Sequence, residues 1–171
     1  IDHIQLGRFA EEKSLGSARY RLSYHNSNTK KGTYSFCMCP GGYVLSSGTE
    51  EDGIVVNGMS NYARNSRWSN SALVVSVKAG EDFSTLKSPL EGLHFQREIE
   101  KKAFNFSKEK ASGKELPAQR LKDFLDQKLN PSKLSKTSTP SGLFPLSMNQ
   151  VLPNFVVNHL YESFQSFEKS L

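Results

Sequence analysis

With 171 residues, 36% hydrophobic content and 11 Phe, the chain has the length and apolar material for one globular domain or two small lobes, and is not a disordered chain. No apolar run approaches the ~20 residues of a membrane-spanning helix. The formal net charge of +5 is uneven, since residues 101–136 hold ten Lys or Arg against four Asp or Glu; such a stretch suits either a solvated helical face or an anionic partner.

The chain opens on Ile1-Asp2-His3-Ile4, with no initiator Met and no charged-then-apolar signal pattern, and is expected to be an interior piece of a longer protein. Residues 1–13 read as a short helix or incoming connector. Tyr20, Leu22 and Tyr24 alternate with polar residues and predict a first strand over 19–25. Residues 26–32 form a polar turn, and 33–39 a second strand that Pro40-Gly41-Gly42 breaks. Residues 43–47 and 54–56 predict two further strands around an acidic loop, 48–53. Residues 57–70 read as a long polar loop, and 72–77 as the last strand. Five short strands with tight turns predict an antiparallel, partly barrel-like sheet.

After Gly80 the apolar period changes. Phe95, Ile99, Ala103 and Phe106 recur at helical spacing and predict a helix over 89–106. Pro117 suits the first turn of a second helix, whose stripe is Leu121, Phe124 and Leu125 and which runs to about Leu129. Residues 130–142 read as a loop. Ser147 with Gln150 three positions on has the form of a helix cap. A final amphipathic helix over 155–171 would carry Val156, Leu160, Phe164, Phe167 and Leu171 on one side. Strands followed by helices predict an α+β domain, with a strand-rich lobe at 1–80 and a helical lobe at 81–171.

The chain has no Gly-x-Gly-x-x-Gly turn to cradle phosphates and no cluster with zinc-ligand spacing. Its four His are far apart in sequence, and no catalytic residue is indicated. The chemistry concentrates between Tyr34 and Val77. Cys37 and Cys39 make no disulfide framework and fit a reducing, cytoplasmic setting. Strand alternation would place both on one face, with Phe36 and Met38 opposite, either as small buried hydrophobes or as thiols facing a redox cofactor. They are expected to be reduced and not joined. Gly41 and Gly42 allow a close backbone approach, to a partner or within a hairpin corner. Asn57, Gly58, Met59, Ser60, Tyr62 and Arg64, with Asn70 at the loop's end, would cap the sheet or offer donors to an anionic ligand. Trp68 could stack on a planar ring or cover the sheet edge.

Three blocks carry a resemblance: residues 34–42 around Cys-Met-Cys-Pro-Gly-Gly, residues 55–64 (Val-Val-Asn-Gly-Met-Ser-Asn-Tyr-Ala-Arg), and residues 70–77. Together they resemble the predicted FAD-dependent, NAD-utilising dehydrogenases of bacteria. Phe95-Gln96-Arg97, Pro117-Ala118-Gln119 and residues 152–157 are similar to that family's helical region, in the same order. The resemblance implies an inserted middle domain flanked by the FAD-binding segments of one larger chain, serving as a substrate or cap domain of an oxidoreductase. It implies that Cys37, Cys39, Gly41, Gly42, Asn57, Gly58, Met59, Ser60, Tyr62, Arg64 and Asn70 face cofactor or substrate. FAD, with NAD(P) beside it, would belong to the parent protein; without a phosphate-cradling turn this chain alone is not expected to hold FAD or to be active. Residues 65–69 depart from the family's acidic-Gly and Asn-Ala-Asn pattern. The implied partners are the flanking FAD-binding domain and a small-molecule substrate, with no membrane. A nucleic-acid-binding or structural interaction module built on 101–136 is the alternative. It needs aromatics interleaved with charge, whereas Phe104, Phe106 and Phe124 sit at core-like spacing.

Overall fold

The computed structural model describes residues 7–14, 21–48, 50–86 and 88–169. Residues 1–6 of the expected connector, Arg19 and Tyr20 of the expected first strand, and Leu171 of the last helix lie outside them. A 3-10 turn at Gly7–Phe9 precedes the strands.

β1 (Ser23–Asn26) and β2 (Lys31–Pro40) form an antiparallel hairpin. Its turn is closed locally: Asn26 Oδ1 accepts the backbone N–H groups of Asn28 and Thr29 at 2.9 and 3.0 Å, which is why Asn is favoured at such a position. β5 (Ser69–Val75) pairs antiparallel with the other edge of β2, giving the order β1-β2-β5. β3 (Gly42–Ser46) and β4 (Val56–Ser60) form a second antiparallel pair. The N-terminal strands are antiparallel as expected, and no barrel closes among the described residues.

Two expectations shift here. Ile54 and Val55 precede the strand rather than form it, Val56 opens it as expected, and residues 57–60 of the expected loop are the rest of β4. Asn57-Gly58 has turn chemistry, but pairing with β3 over its full length overrides local preference. Ile54 is drawn off the ladder because its N–H bonds the Glu100 carbonyl at 3.3 Å and its side chain packs on the core.

In the C-terminal half, α1 (Glu91–Lys110) presents Ile99, Ala103 and Phe106 to the core that Phe144, Leu146, Val151 and Met148 complete. Pro117 does not start a helix. It lies in β6 (Leu116–Ala118), which runs parallel to β7 (Leu143–Pro145); with a neighbour on one side only, that strand tolerates a residue lacking N–H. α2 (Leu121–Leu125) is one short turn, ended before the expected Leu129 by Gln127 at φ +52°. Ser147 precedes a 3-10 turn at Met148–Gln150 and makes no side-chain cap bond.

α3 (Asn154–Glu168) buries His159, Ser163 and Phe167, while Val156, Leu160 and Phe164 are half-buried. The helix is therefore rotated from its apolar stripe, because the hairpin beneath it is polar. His159 Nε2 lies 3.2 Å from Thr29 Oγ1, and Glu162 accepts bonds from Asn26 Nδ2 (2.7 Å) and Tyr24 OH (3.2 Å).

The exit from α1 carries a pH-dependent contact. Glu115 accepts the Ser112 backbone N–H (2.9 Å), the Ser112 hydroxyl and the Lys114 N–H. These bonds, the Ser112 amide first, lower its carboxyl from 4.5 to about 2. A folded pKa below the unfolded one means stabilisation present above about 4.5 and lost as pH falls toward 2. We expect Glu115→Gln to lower the urea midpoint at pH 6, with the gap to wild type narrowing as pH falls below about 4.5 and closing only toward pH 2. A gap that stays constant with pH would contradict it.

Candidate functional site

The candidate site grows from an irregularity in β2. Phe36 pairs with Ala72 but Cys39 pairs with Asn70, so one extra residue enters between them. Cys37 sits in this bulge at φ +49°. A bulge changes which face the following residues take. Cys39 thus lies on the face of Asn70, Ala72 and Phe36, and the expected alternation of Cys37 and Cys39 against Phe36 does not hold. Both thiols are free; Cys37 is exposed and Cys39 half-buried, its Sγ 3.6 Å from the Cys37 carbonyl.

A single residue, Gly41 at φ +57°, then carries the chain from β2 into β3. A Cβ on Gly41 would lie 2.2 Å from the carbonyl carbon of Arg64. One on Gly42 would lie 2.7 Å from Cys39 Cβ and 2.8 Å from the Met59 carbonyl oxygen. One on Gly58 would lie 2.0 Å from Asn70 Oδ1 and 3.2 Å from Cys39 Sγ. The close approach that glycine permits here is to the chain's own backbone and side chains. Ser60 Oγ donates to the Pro40 carbonyl at 2.9 Å, and Arg64 N–H to Asn61 O at 3.0 Å, with Arg64 itself at φ +49°.

The structure therefore gathers Cys39, Gly41, Gly42, Gly58, Ser60, Arg64 and Asn70 at one corner where β2, β3, β4 and β5 meet. Met59 contributes its backbone there, while its side chain takes a weak contact from Asn57 Nδ2 at 3.9 Å. Tyr62 and the Arg64 side chain are exposed at the rim. Asn70 Nδ2 is buried with no hydrogen-bond partner among the described residues. Trp68 is half-buried with the Arg67 guanidinium 4.6 Å from its ring centroid. Tyr34 and Phe36 were read only as strand residues, yet both are exposed beside the corner. Two large aromatics at alternate positions just before an unusual thiol string were the sequence signal for an uncovered face.

Charge elsewhere is arranged structurally. Lys101 bonds Asp52 at 2.7 Å, and that hydrogen bond first, helped by the lysine charge, lowers the Asp52 carboxyl despite the opposing effect of burial. Lys108 and Lys110 lie along Phe104 and Phe106 of their own helix, at 5.6 and 5.9 Å from the ring centroids. Phe104, Phe106 and Phe124 are all half-buried, so these rings do not form an open stacking surface for bases. No helix among the described residues is long and apolar enough to cross a membrane. No group of three or more His, Cys, Asp or Glu among them is placed to hold a metal ion.

The family described as "FAD-dependent protein, C-terminal domain-like" matches residues 1–171. The chain belongs to this family. An uncharacterized protein of Clostridium beijerinckii is 38% identical over 173 residues, a match covering 100% of this chain and 31% of that protein. The chain thus spans less than a third of this relative's length. FAD-dependence implies a site for the cofactor's diphosphate, and the corner glycines do not fit that role: the space above each is already filled by Arg64, Met59, Cys39 or Asn70.

Proposed function

We propose that this domain is the substrate or cap domain of a FAD-dependent oxidoreductase, and that the sheet face carrying Tyr34 and Phe36 docks against the FAD-binding part of the same parent chain. In the parent the corner rim, with Tyr62 and Arg64, would border the flavin or the substrate, and NAD(P) would serve as redox partner. The observation that carries this reading is the exposure of Tyr34 (46%), Phe36 (55%) and Met59 (51%) around the corner. Solvent-facing aromatics grouped beside close-packed glycines mark a surface with a partner. The choice of occupant is supported by the family and by the length of the relative, most of which lies outside the matched region.

Cys37 reports on this face because its thiol is exposed at the bulge. We expect maleimide to modify Cys37 rapidly in the isolated chain and at least tenfold more slowly in the full-length, FAD-loaded parent. Phe36→Ser should leave the isolated chain's stability within about 0.5 kcal/mol, as for exposed sites generally, and lower the flavin content of the parent. Equal labelling in both proteins overturns the docking reading. An isolated chain that elutes yellow with stoichiometric flavin overturns the division of labour between the domains.

A further inference from the structure

A second concavity, on the opposite half of the chain from the corner, has a composition of its own. It has a volume of about 350 Å³ and lies between β6, the end of α2, the turn before α3 and the first two turns of α3. Its nine lining residues include no acid, no base and no histidine. Five are carboxamides. One of these, Gln119, is a strut: its Oε1 accepts the Met148 N–H at 2.9 Å and its Nε2 donates to the Lys128 carbonyl at 2.8 Å. It fixes the two loops that form the rim.

The other four, Gln127, Asn149, Asn154 and Asn158, make no side-chain hydrogen bond among the described residues. Asn154 and Asn158 are one turn apart on α3, with Tyr161 three residues further along the same face. Gln127 is held outward by its left-handed backbone, braced by the Lys128 N–H bond to the Asp123 carbonyl at 2.7 Å. Phe124 and Tyr161 form the apolar wall, their ring centroids 6.5 Å apart and their planes inclined by 56°.

We propose that this cavity is a binding site for a neutral polyhydroxylated ring, a mono- or disaccharide. Three features select that class. Without a charged side chain, the cavity gives an ionic ligand no counter-charge beyond the N-terminal end of α3, and most of the cost of desolvating the ligand's charge would go uncompensated. Each free carboxamide brings both a donor NH₂ and an acceptor oxygen, so four of them match a ligand whose hydroxyls each donate and accept. Two rings inclined by 56° at this separation cannot sandwich a flat nucleobase, but they present an angled apolar wall to the C–H face of a saturated ring. The volume lies at the low end of small-molecule sites, about 300–1,000 Å³, and so sets the ligand at one or two rings. The brace through Gln119 means the rim is formed before the ligand arrives.

The site is tested on the 171-residue chain by following the Asn and Gln side-chain NH₂ resonances during titration with maltose, cellobiose, N-acetylglucosamine, glucuronate and adenosine. The expected result is saturable shifts with at least one neutral saccharide, confined to the amides of Gln127, Asn149, Asn154 and Asn158, and at least tenfold weaker binding of glucuronate and adenosine. Asn158→Ala and Asn149→Ala alter exposed side chains; each should weaken saccharide binding about tenfold, the loss of one or two hydrogen bonds, with the thermal midpoint unchanged. Because these variants leave the fold alone, loss of binding is not confused with unfolding. Adenosine or glucuronate binding more tightly than every neutral saccharide overturns the proposal. So does the absence of saturable shifts with all three neutral saccharides at 50 mM, roughly the weak limit of specific recognition.

Discussion

Gly41→Ala is expected to destabilise the domain severely, by about 3 kcal/mol or more. Two costs combine. A left-handed backbone disfavours any residue with a Cβ by roughly 1–2 kcal/mol, and Gly41 sits at φ +57°. The new methyl would also lie 2.2 Å from the Arg64 carbonyl carbon and 2.8 Å from its Cα. Those are backbone atoms of a turn closed by its own hydrogen bond, so they cannot swing aside as a side chain would, and overpacking of this kind adds about 1–3 kcal/mol. Gly80→Ala is the control. Gly80 has φ +84° but open space where its Cβ would stand, so it carries the backbone cost without the collision. Urea midpoints of the two variants should differ by the collision alone, with Gly41→Ala the lower. Equal loss in both would mean that the corner is not closed by Arg64, and with it the grouping of Cys39, Gly42 and Gly58 around that turn would fail.

The same corner shows how far the sequence could be read. Pro40-Gly41-Gly42 announced a sharp break, and the alternation before it announced a strand; both are local properties. The bulge at Cys37 is not local. It arises because β2 must pair with β5 at Phe36 and again at Cys39 with one residue too many between them, and no side chain in that stretch signals the surplus. Its consequence is large, since Cys39 joins the face of Asn70. Gly58 misled in the other direction: beside Asn57 it looks like a turn, yet it is a strand residue that makes room for Asn70 Oδ1. Period and composition were enough for the α+β order and for α1. They did not place α3 correctly about its axis, because its buried line includes His159, which bonds Thr29 of a polar hairpin more than a hundred residues away, and Ser163, whose hydroxyl donates to the Leu160 carbonyl of its own helix.

The cavity at the other end was visible only in part. Asn154, Asn158 and Tyr161 share a helix face at readable spacing, whereas Gln119 and Gln127 reach the site through a parallel β6–β7 pair and a left-handed turn. Three-residue strands carry too little periodicity to be recognised, and Pro117 pointed away from one.

Lys31→Met is the second substitution with a large expected effect, and its pH dependence identifies the cause. Lys31 leaves the hairpin turn with a side chain only 7% exposed and donates to Asp82 Oδ2, whose side chain is 9% exposed. Its ammonium lies 5.0 Å from the centroid of Phe155 on α3, so one cation ties the hairpin, the loop after β5 and the helix together. Burial by itself would raise the Asp82 carboxyl. The Lys31 hydrogen bond, the Lys78 backbone N–H at 2.7 Å and the charges of both lysines outweigh it, and the folded pKa is lowered from 3.8. The pair's contribution is therefore present above about pH 4 and is lost as pH falls below the folded value. Removing one member of a buried pair costs about 3–5 kcal/mol because the other charge stays desolvated. In a chain of this length that corresponds to a thermal midpoint lower by roughly 6–20 °C. In Lys31→Met the Asp82 carboxyl keeps its burial and loses its main partner, so its folded pKa should climb above the unfolded one. The variant's deficit should then be full at pH 7 and shrink on acidification through pH 4. Lys31→Met combined with Asp82→Asn, which keeps an oxygen to accept the Lys78 N–H, should recover most of the loss at pH 7. A deficit that is the same at pH 7 and pH 4, or a double variant no more stable than Lys31→Met alone, would mean that Lys31 holds this junction by packing its methylene chain on Phe155 and not by its charge.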